Sequence, residues 1–120
     1  MANNYYAVSY NAAARRDLEE AYLYFADKLL LPNTGKVVIE AIDAEINRYL
    51  SYMPHHPLVN NDDLAALGYR RLIVKRYGYL VFFRVDENTN TVTVSRILHG
   101  SRDWLNVLLK DEESAERWNM

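Results

Sequence analysis

From Ala12 onward, Ala14, Leu18, Ala21, Tyr22, Phe25, Ala26 and Leu29 recur at steps of three and four, while Arg15, Arg16, Glu19, Glu20 and Asp27 fall largely off that stripe. This spacing predicts one amphipathic helix, with Asn11 placed to cap it. A second stripe, Val38, Ile42, Ile46, Tyr49, Leu50 and Met53, predicts another helix of similar length. Between them, Leu31-Pro32-Asn33-Thr34-Gly35 breaks the period. Proline ends the first helix, and Asn33 or Thr34 is available to cap the next. Two helices joined by so few residues are expected to lie antiparallel as a hairpin. Pro54-His55-His56-Pro57 stops the second one.

The rest of the chain has the period of strands. Tyr5–Tyr10, Tyr69–Val74 and Thr91–Leu98 are short runs rich in Tyr, Val, Ile and Thr, and Tyr79–Val85 is the most apolar run of all, which suits a central strand. Leu58–Leu67 reads as a polar connection, Lys75–Gly78 as a turn and Asp86–Asn90 as a hairpin turn. Thr91, Thr93 and Ser95 alternate with Val92 and Val94, so one face is expected to meet the core and the other solvent or a ligand. Gly100 and Ser101 open a short terminal helix whose inner face uses Trp104, Leu105 and Leu108. Residues 111–120, DEESAERWNM, read as a frayed acidic tail. The expected fold is α+β: an N-terminal strand, an antiparallel helical hairpin and a three-stranded antiparallel meander. This makes a mainly antiparallel four-stranded sheet (β-α-α-β-β-β) with a short C-terminal helix. The hairpin must cover one face to hide both apolar stripes. The letters Leu31–Gly35 also match a sortase anchoring motif. An amphipathic helix follows them instead of an apolar segment and a basic tail, so that reading is rejected.

Charge changes the picture more than composition does. The 120 residues are half apolar and a quarter charged, as in an ordinary globular domain, and carry −2 overall. Residues 1–63 hold five Lys/Arg against nine Asp/Glu, residues 64–110 eight against three, and residues 111–120 one against four. The strands are basic, while the helices and tail are acidic. Either the sheet meets an anionic partner or it complements the chain's own acidic helices. With no cysteine, disulfides and thiolate ligands are excluded, and a reducing cytoplasm fits. The N-terminus does not read as a signal peptide, and no apolar run approaches the roughly 18 residues of a membrane helix. His55 and His56 lack a third ligand at useful spacing, so they read as a loop and not a metal site. Tyr22, Tyr49 and Tyr52 lie on or beside the helix stripes, whereas Tyr69, Tyr77 and Tyr79 are the better ligand-facing candidates.

Several pieces recur together: Tyr6-x-Val8-x-Tyr10 followed by Ala14-x-x-Asp17-Leu18, and Pro54 closing the second helix. Then come Gly68-Tyr69-Arg70-Arg71-Leu72, Tyr77 ahead of Val81-Phe82-Phe83-Arg84-Val85, and Val92-x-Val94-x-Arg96-Ile97-Leu98-His99-Gly100-x-Arg102-Asp103. In order and spacing these resemble the RelE/ParE superfamily, the toxins of bacterial type II toxin–antitoxin systems. The resemblance runs from Tyr6 to about Leu109. It implies a cytoplasmic toxin domain over residues 1–110, with 111–120 as the acidic tail, and a cognate antitoxin as partner. Its target would be DNA gyrase, as for ParE-like members, or the ribosome and its mRNA, as for RelE-like and YoeB-like nucleases. It implies no cofactor, no metal and no membrane. A further alternative is a degenerate, non-toxic relative that only binds its antitoxin.

For the nuclease alternative, the resemblance carries Arg70 or Arg71, Arg96 and His99 into catalytic places. Guanidinium groups would grip phosphate and His99 would serve as acid or base. Arg70, Arg71, Lys75, Arg76, Arg96 and Arg102 are the expected target- or phosphate-binding set. Against this, Gly100 stands where YoeB-like nucleases have a tyrosine. Lys75 is the only lysine in the strands, and no tyrosine follows Leu98. Overall acidity also disfavours docking on ribosomal RNA. ParE-like action is therefore preferred. The His99–Asp103 segment has a structural reading too: Gly100 turns the chain, Ser101 caps the helix and Arg102 and Asp103 pair. Arg96, sharing parity with Val92 and Val94, reads equally as a half-buried structural arginine.

Overall fold

Asn11 sets the first boundary. Its Oδ1 accepts the Ala14 N–H at 2.8 Å and starts helix α1, Ala12–Leu23, directly after strand β1, Ala7–Tyr10. The computed structural model describes residues 5–118. A π-helical turn, Tyr24–Lys28, prolongs α1, and Leu30 then bends back with a φ of 55°. Helix α2 spans Pro32–Leu50. Neither Asn33 nor Thr34 caps it. Pro32 occupies its first turn instead, where the fixed φ is already helical and no N–H is needed. Gly35 lets the two helices touch: a Cβ there would stand 3.1 Å from the Tyr22 carbonyl and 3.0 Å from the Phe25 Cβ.

The stretch expected to be a polar connection contains a short helix, α3, Asp62–Ala66. Asn61 caps it by accepting the Leu64 N–H at 3.0 Å, and Asp62 and Asp63 sit in the first turn, where negative charge is favoured. That cap-plus-acid signal was present in the sequence. The cause of the helix is the burial of Leu64. Strands β2 (Arg70–Val74), β3 (Tyr79–Asp86) and β4 (Thr91–His99) follow, then helix α4, Trp104–Trp118.

The sheet order is β1-β4-β3-β2. The meander is antiparallel as expected, while β1 runs parallel to β4, with Ala7 opposite Thr91 and Tyr10 opposite Val94. Phe82 faces Arg96 but Phe83 faces Val94, which leaves Ser95 as an extra residue in β4. This bulge reverses the side-chain alternation. Val92 and Val94 point to the hairpin, and beyond the bulge Ile97 does so, not Arg96.

Two cores result, one on each face. Ala14, Ala21, Val38, Ile42, Ile46 and Leu50 of the hairpin pack on Val74, Val81, Phe83, Val92, Val94 and Ile97. On the other face Phe82 and Leu98 pack with Val59, Leu64, Tyr69 and Leu108, and Trp104 stacks on Phe82 at 5.3 Å between centroids. The second face is therefore covered where solvent or a ligand was expected. Helix α4 begins at Trp104 and not at Ser101, with Asp103 accepting the Asn106 N–H at 3.4 Å. It also continues through residues 111–118, the stretch read as a frayed tail, because Asp111 and Glu112 find cations on the sheet.

If α4 is part of the folding unit, Leu108→Ala will cost about 3 kcal/mol through the cavity it leaves. It should do so in one cooperative urea transition followed at Trp104. An unchanged midpoint would show that α4 is an appendage.

Candidate functional site

Strand β1 ends opposite Val94, so beyond that point β4 keeps β3 on one side and has no strand on the other. The edge still carries hydrogen-bonding groups, and Asp17 of α1 meets them. Its Oδ2 accepts the Ile97 N–H at 2.9 Å. The same carboxylate takes two bonds from Arg96, Nε to Oδ2 at 2.8 Å and Nη2 to Oδ1 at 3.0 Å. From the other side, Arg96 Nη1 reaches Asp111 of α4 at 3.2 Å. The Asp17 side chain is 4% exposed and that of Arg96 17%. Burial works against the charged guanidinium, but the hydrogen bonds and charges of Asp17 and then Asp111 outweigh it. The Arg96 pKa is held above its ordinary value.

A second arginine, Arg84, is paired with α4, with 41% of its side chain exposed. Arg84 Nη2 donates to Glu112 Oε1 at 2.5 Å and to the Tyr69 hydroxyl at 2.6 Å, and its guanidinium lies 4.1 Å from the Tyr69 ring centroid. Tyr69 also donates to Glu112. Burial first, then the Glu112 hydrogen bond, push the Tyr69 phenol up to about 12. Tyr69 is thus a buried pillar under Arg84 and presents no surface to a ligand. Tyr77 packs half-buried on the hairpin core.

The four residues of the nuclease set do not converge. Arg70 stands opposite Phe83 and His99 opposite Tyr79, four residues apart along β3, or about 13 Å along the strand direction. Arg70 shares the hairpin-facing parity of Leu72 and Val74, and its Nη1 donates to the His56 carbonyl at 2.7 Å. Arg71 points to the opposite face. Among the described residues, no carboxylate lies within ion-pair range of Arg71, Lys75, Arg76 or Arg102. The expected Arg102–Asp103 pair is therefore not made.

His99 and Arg102 do share one feature, a cleft of about 430 Å³ at the end of β4, on the side that β1 does not reach. Asp17, Glu20 and Tyr24 of the first helix form one wall, and Tyr79, His99, Ser101 and Arg102 form the other. Ser101 serves the histidine and not the helix. Its backbone N–H donates to His99 Nδ1 at 3.2 Å, and its hydroxyl lies 2.8 Å from the same nitrogen. A backbone N–H can only donate, so Nδ1 accepts, and in the neutral ring the proton sits on Nε2. A Cβ on Gly78 would come within 3.3 Å of Nε2. Glycine there serves both the turn, at φ 73°, and the ring. Tyr79 meets the imidazole edge-on at 5.4 Å. His55 contacts Glu87 and His56 packs against Phe83; no metal-binding cluster occurs among the described residues.

Sequence reasoning missed Asp111, Glu112 and the role of Asp17. Asp17 stood inside the Ala-x-x-Asp-Leu piece, and the acidic charge of residues 111–120 was visible. Nothing local in the sequence connects either with Arg96, 79 positions after Asp17.

The family described as ParE toxin of type II toxin-antitoxin system, parDE, matches residues 8–104. A search of the curated proteins finds no match. Among solved structures, the chain is similar to one from the chromosomal ParDE system of P. aeruginosa. They share 17% identity at a TM-score of 0.66, over 81% of this chain and 98% of that one. It is also similar to a chain of the RelBE2 toxin–antitoxin complex of Mycobacterium tuberculosis. That match has 23% identity and a TM-score of 0.57, over 79% and 91% of the two chains. The isolated E. coli RelE toxin matches at 13% identity and a TM-score of 0.57, over 93% and 97%.

Asp17→Asn leaves Arg96 buried with only a half-exposed partner. It should cost about 3 kcal/mol in urea unfolding, against about 1 kcal/mol or less for Asp111→Asn. Equal effects would mean that the two carboxylates are interchangeable and that the strand-edge role is wrong.

Proposed function

We propose, from the premise that this chain belongs to the ParE toxin family of type II toxin–antitoxin systems, that it arrests growth by binding a protein target, DNA gyrase. A cognate antitoxin neutralises it. The chain is the toxin component of such a system; the target, the antitoxin and a cytoplasmic location are our reading. No helix among the described residues is long and apolar enough to cross a membrane.

One observation carries the preference for a protein target. Arg96, the arginine that a nuclease of this fold would turn to phosphate, is held by Asp17 and Asp111. A phosphate approaching it must displace two carboxylates and leave the Ile97 N–H to be satisfied anew. Arg84, more exposed, is paired with Glu112. The sheet face that could bind RNA is covered by an acidic helix, which repels polyanions. Apolar side chains remain exposed on the hairpin and around its tip, including Leu23, Leu29, Leu30, Leu31 and Val37. Such a surface favours an antitoxin helix laid across the hairpin.

The cleft beside His99 favours a second reading, a ribosome-dependent, metal-independent mRNA endonuclease. A histidine with a set tautomer, next to Arg102, is the minimum that acid–base cleavage asks for. In this reading Arg70, Arg71 and Arg96 would come together only after a rearrangement.

Induced expression separates the readings. We expect growth arrest, intact mRNA on ribosomes and inhibition of purified gyrase in a supercoiling assay. His99→Ala should leave the arrest largely intact. Cleaved mRNA, with loss of toxicity on His99→Ala of the order of 10²–10⁴-fold in cleavage rate, would establish the nuclease. No arrest at all would leave a non-toxic relative that only binds its antitoxin.

A further inference from the structure

Action on a protein target gives no role to the cleft at the end of β4, yet one residue of its wall is left incomplete. Tyr79 is only 8% exposed. A phenol that deep normally finds a hydrogen-bond partner. The half-buried Tyr10 and the buried Tyr69 do so, donating to Asp43 and Glu112. Among the described residues the Tyr79 hydroxyl has no such partner, and no buried side-chain oxygen or nitrogen is left unsatisfied. The hydroxyl therefore reaches an opening, and the cleft is the opening that Tyr79 lines. Burial, then the neighbouring Tyr24 phenol, raise its pKa, so the hydroxyl keeps its proton and is free to donate.

The two walls are polarised. On the β4 side, His99 carries its proton on Nε2, which has no protein partner among the described residues. Arg102 is exposed there without an ion pair. With the Tyr79 hydroxyl, three free donors share this wall. On the helix side Glu20 is exposed and also unpaired, whereas Asp17 is spent on Arg96 and the Ile97 N–H. Tyr24, one helical turn after Glu20, is 51% exposed. It opens the π-helical turn, its carbonyl accepting the Leu29 N–H at 3.1 Å, and such turns recur at functional sites.

We propose that this cleft binds a small zwitterion, a free amino acid or dipeptide with an apolar side chain, its carboxylate against Arg102, His99 and Tyr79 and its ammonium against Glu20. A guanidinium grips a carboxylate with two donors, and the Tyr24 ring offers apolar area to the side chain. Charge selects the occupant. The two free charges of the walls are opposite, so a ligand carrying both signs meets each with its complement. A nucleotide meets Arg102 but is repelled by Glu20, and a simple cation meets Glu20 but is repelled by Arg102. The volume of about 430 Å³ lies within the ~300–1,000 Å³ usual for small-molecule sites. The inference is independent of whether gyrase or the ribosome is the target.

The test is an NMR titration of the full chain, following the ring signals of Tyr79 and His99. The probes are L-phenylalanine, glycyl-L-phenylalanine, L-phenylalaninamide, which lacks the carboxylate, and 3-phenylpropanoate, which lacks the ammonium. At least one of the two zwitterions should saturate with a Kd of about 1 mM or tighter. Whichever binds more tightly identifies the source, and either supports the proposal. Each single-charge probe should bind at least about tenfold more weakly. Tyr79→Phe, which keeps the ring and its packing, should weaken the zwitterion about fivefold. Arg102→Gln and Glu20→Gln, both at exposed positions, should each weaken it about tenfold, while Glu20→Gln leaves 3-phenylpropanoate no weaker. Absence of shifts with every probe up to about 10 mM overturns the proposal. So does equal binding of all four probes, which would make the cleft a merely apolar hollow. Tighter binding of guanosine monophosphate than of either zwitterion overturns it as well and assigns the cleft to a nucleotide.

Discussion

An unpaired strand edge inside a packed structure must find hydrogen-bond partners, and here a single carboxylate provides them. Strand β1 is too short to accompany β4 to its end, so the Ile97 N–H needs an oxygen from elsewhere, and Asp17 supplies it. A carboxylate this deeply placed requires a counter-charge, and Arg96 supplies that in two bonds. Arg96 then holds Asp111 and with it the helix α4. One short strand thus ties the first helix, the last strand and the last helix together. Pairs of this kind add little over a well-packed apolar substitute, yet losing one partner is costly. Their contribution lies mainly in specifying which elements meet.

This arrangement governs where positive charge remains available. The basic central part of the chain faces acidic ends, and the fold brings them together: Arg84 with Glu112, Arg96 with Asp17 and Asp111. Several cations of the basic central segment without an ion pair among the described residues lie on the rim. Arg71, Lys75 and Arg76 surround the β2 edge, and Arg102 sits at the mouth of the His99 cleft. A rim of cations beside apolar helix surfaces suits protein partners. A face of cations would suit a nucleic acid, and that face is occupied. Fold alone does not decide between a nuclease and a gyrase inhibitor.

Much of the architecture was legible because its signals are local. The stripes from Ala14 to Leu29 and from Val38 to Leu50 specify two helices; Pro32 opens the second and Pro54 follows its end. The strand runs and the Asp86–Asn90 turn specify the meander. The misreadings share a different cause. Arg96 was placed on the Val92–Val94 face because alternation was carried through Ser95. A bulge depends on how β3 packs against β4, which no stretch of β4 announces. Residues 111–118 looked frayed because a polar helix gains its stability from what it touches.

Taken alone, the chain of residues determined the hairpin helices and the strands, their order, the absence of cysteine chemistry and the opposition of basic centre to acidic ends. Each of these follows from period, composition or charge within a short window. Tertiary structure alone decided which arginines are spent internally and that His99 is held by Ser101 beside a cleft. Those outcomes depend on groups up to 80 positions apart meeting within hydrogen-bonding distance, and such meetings are set by packing.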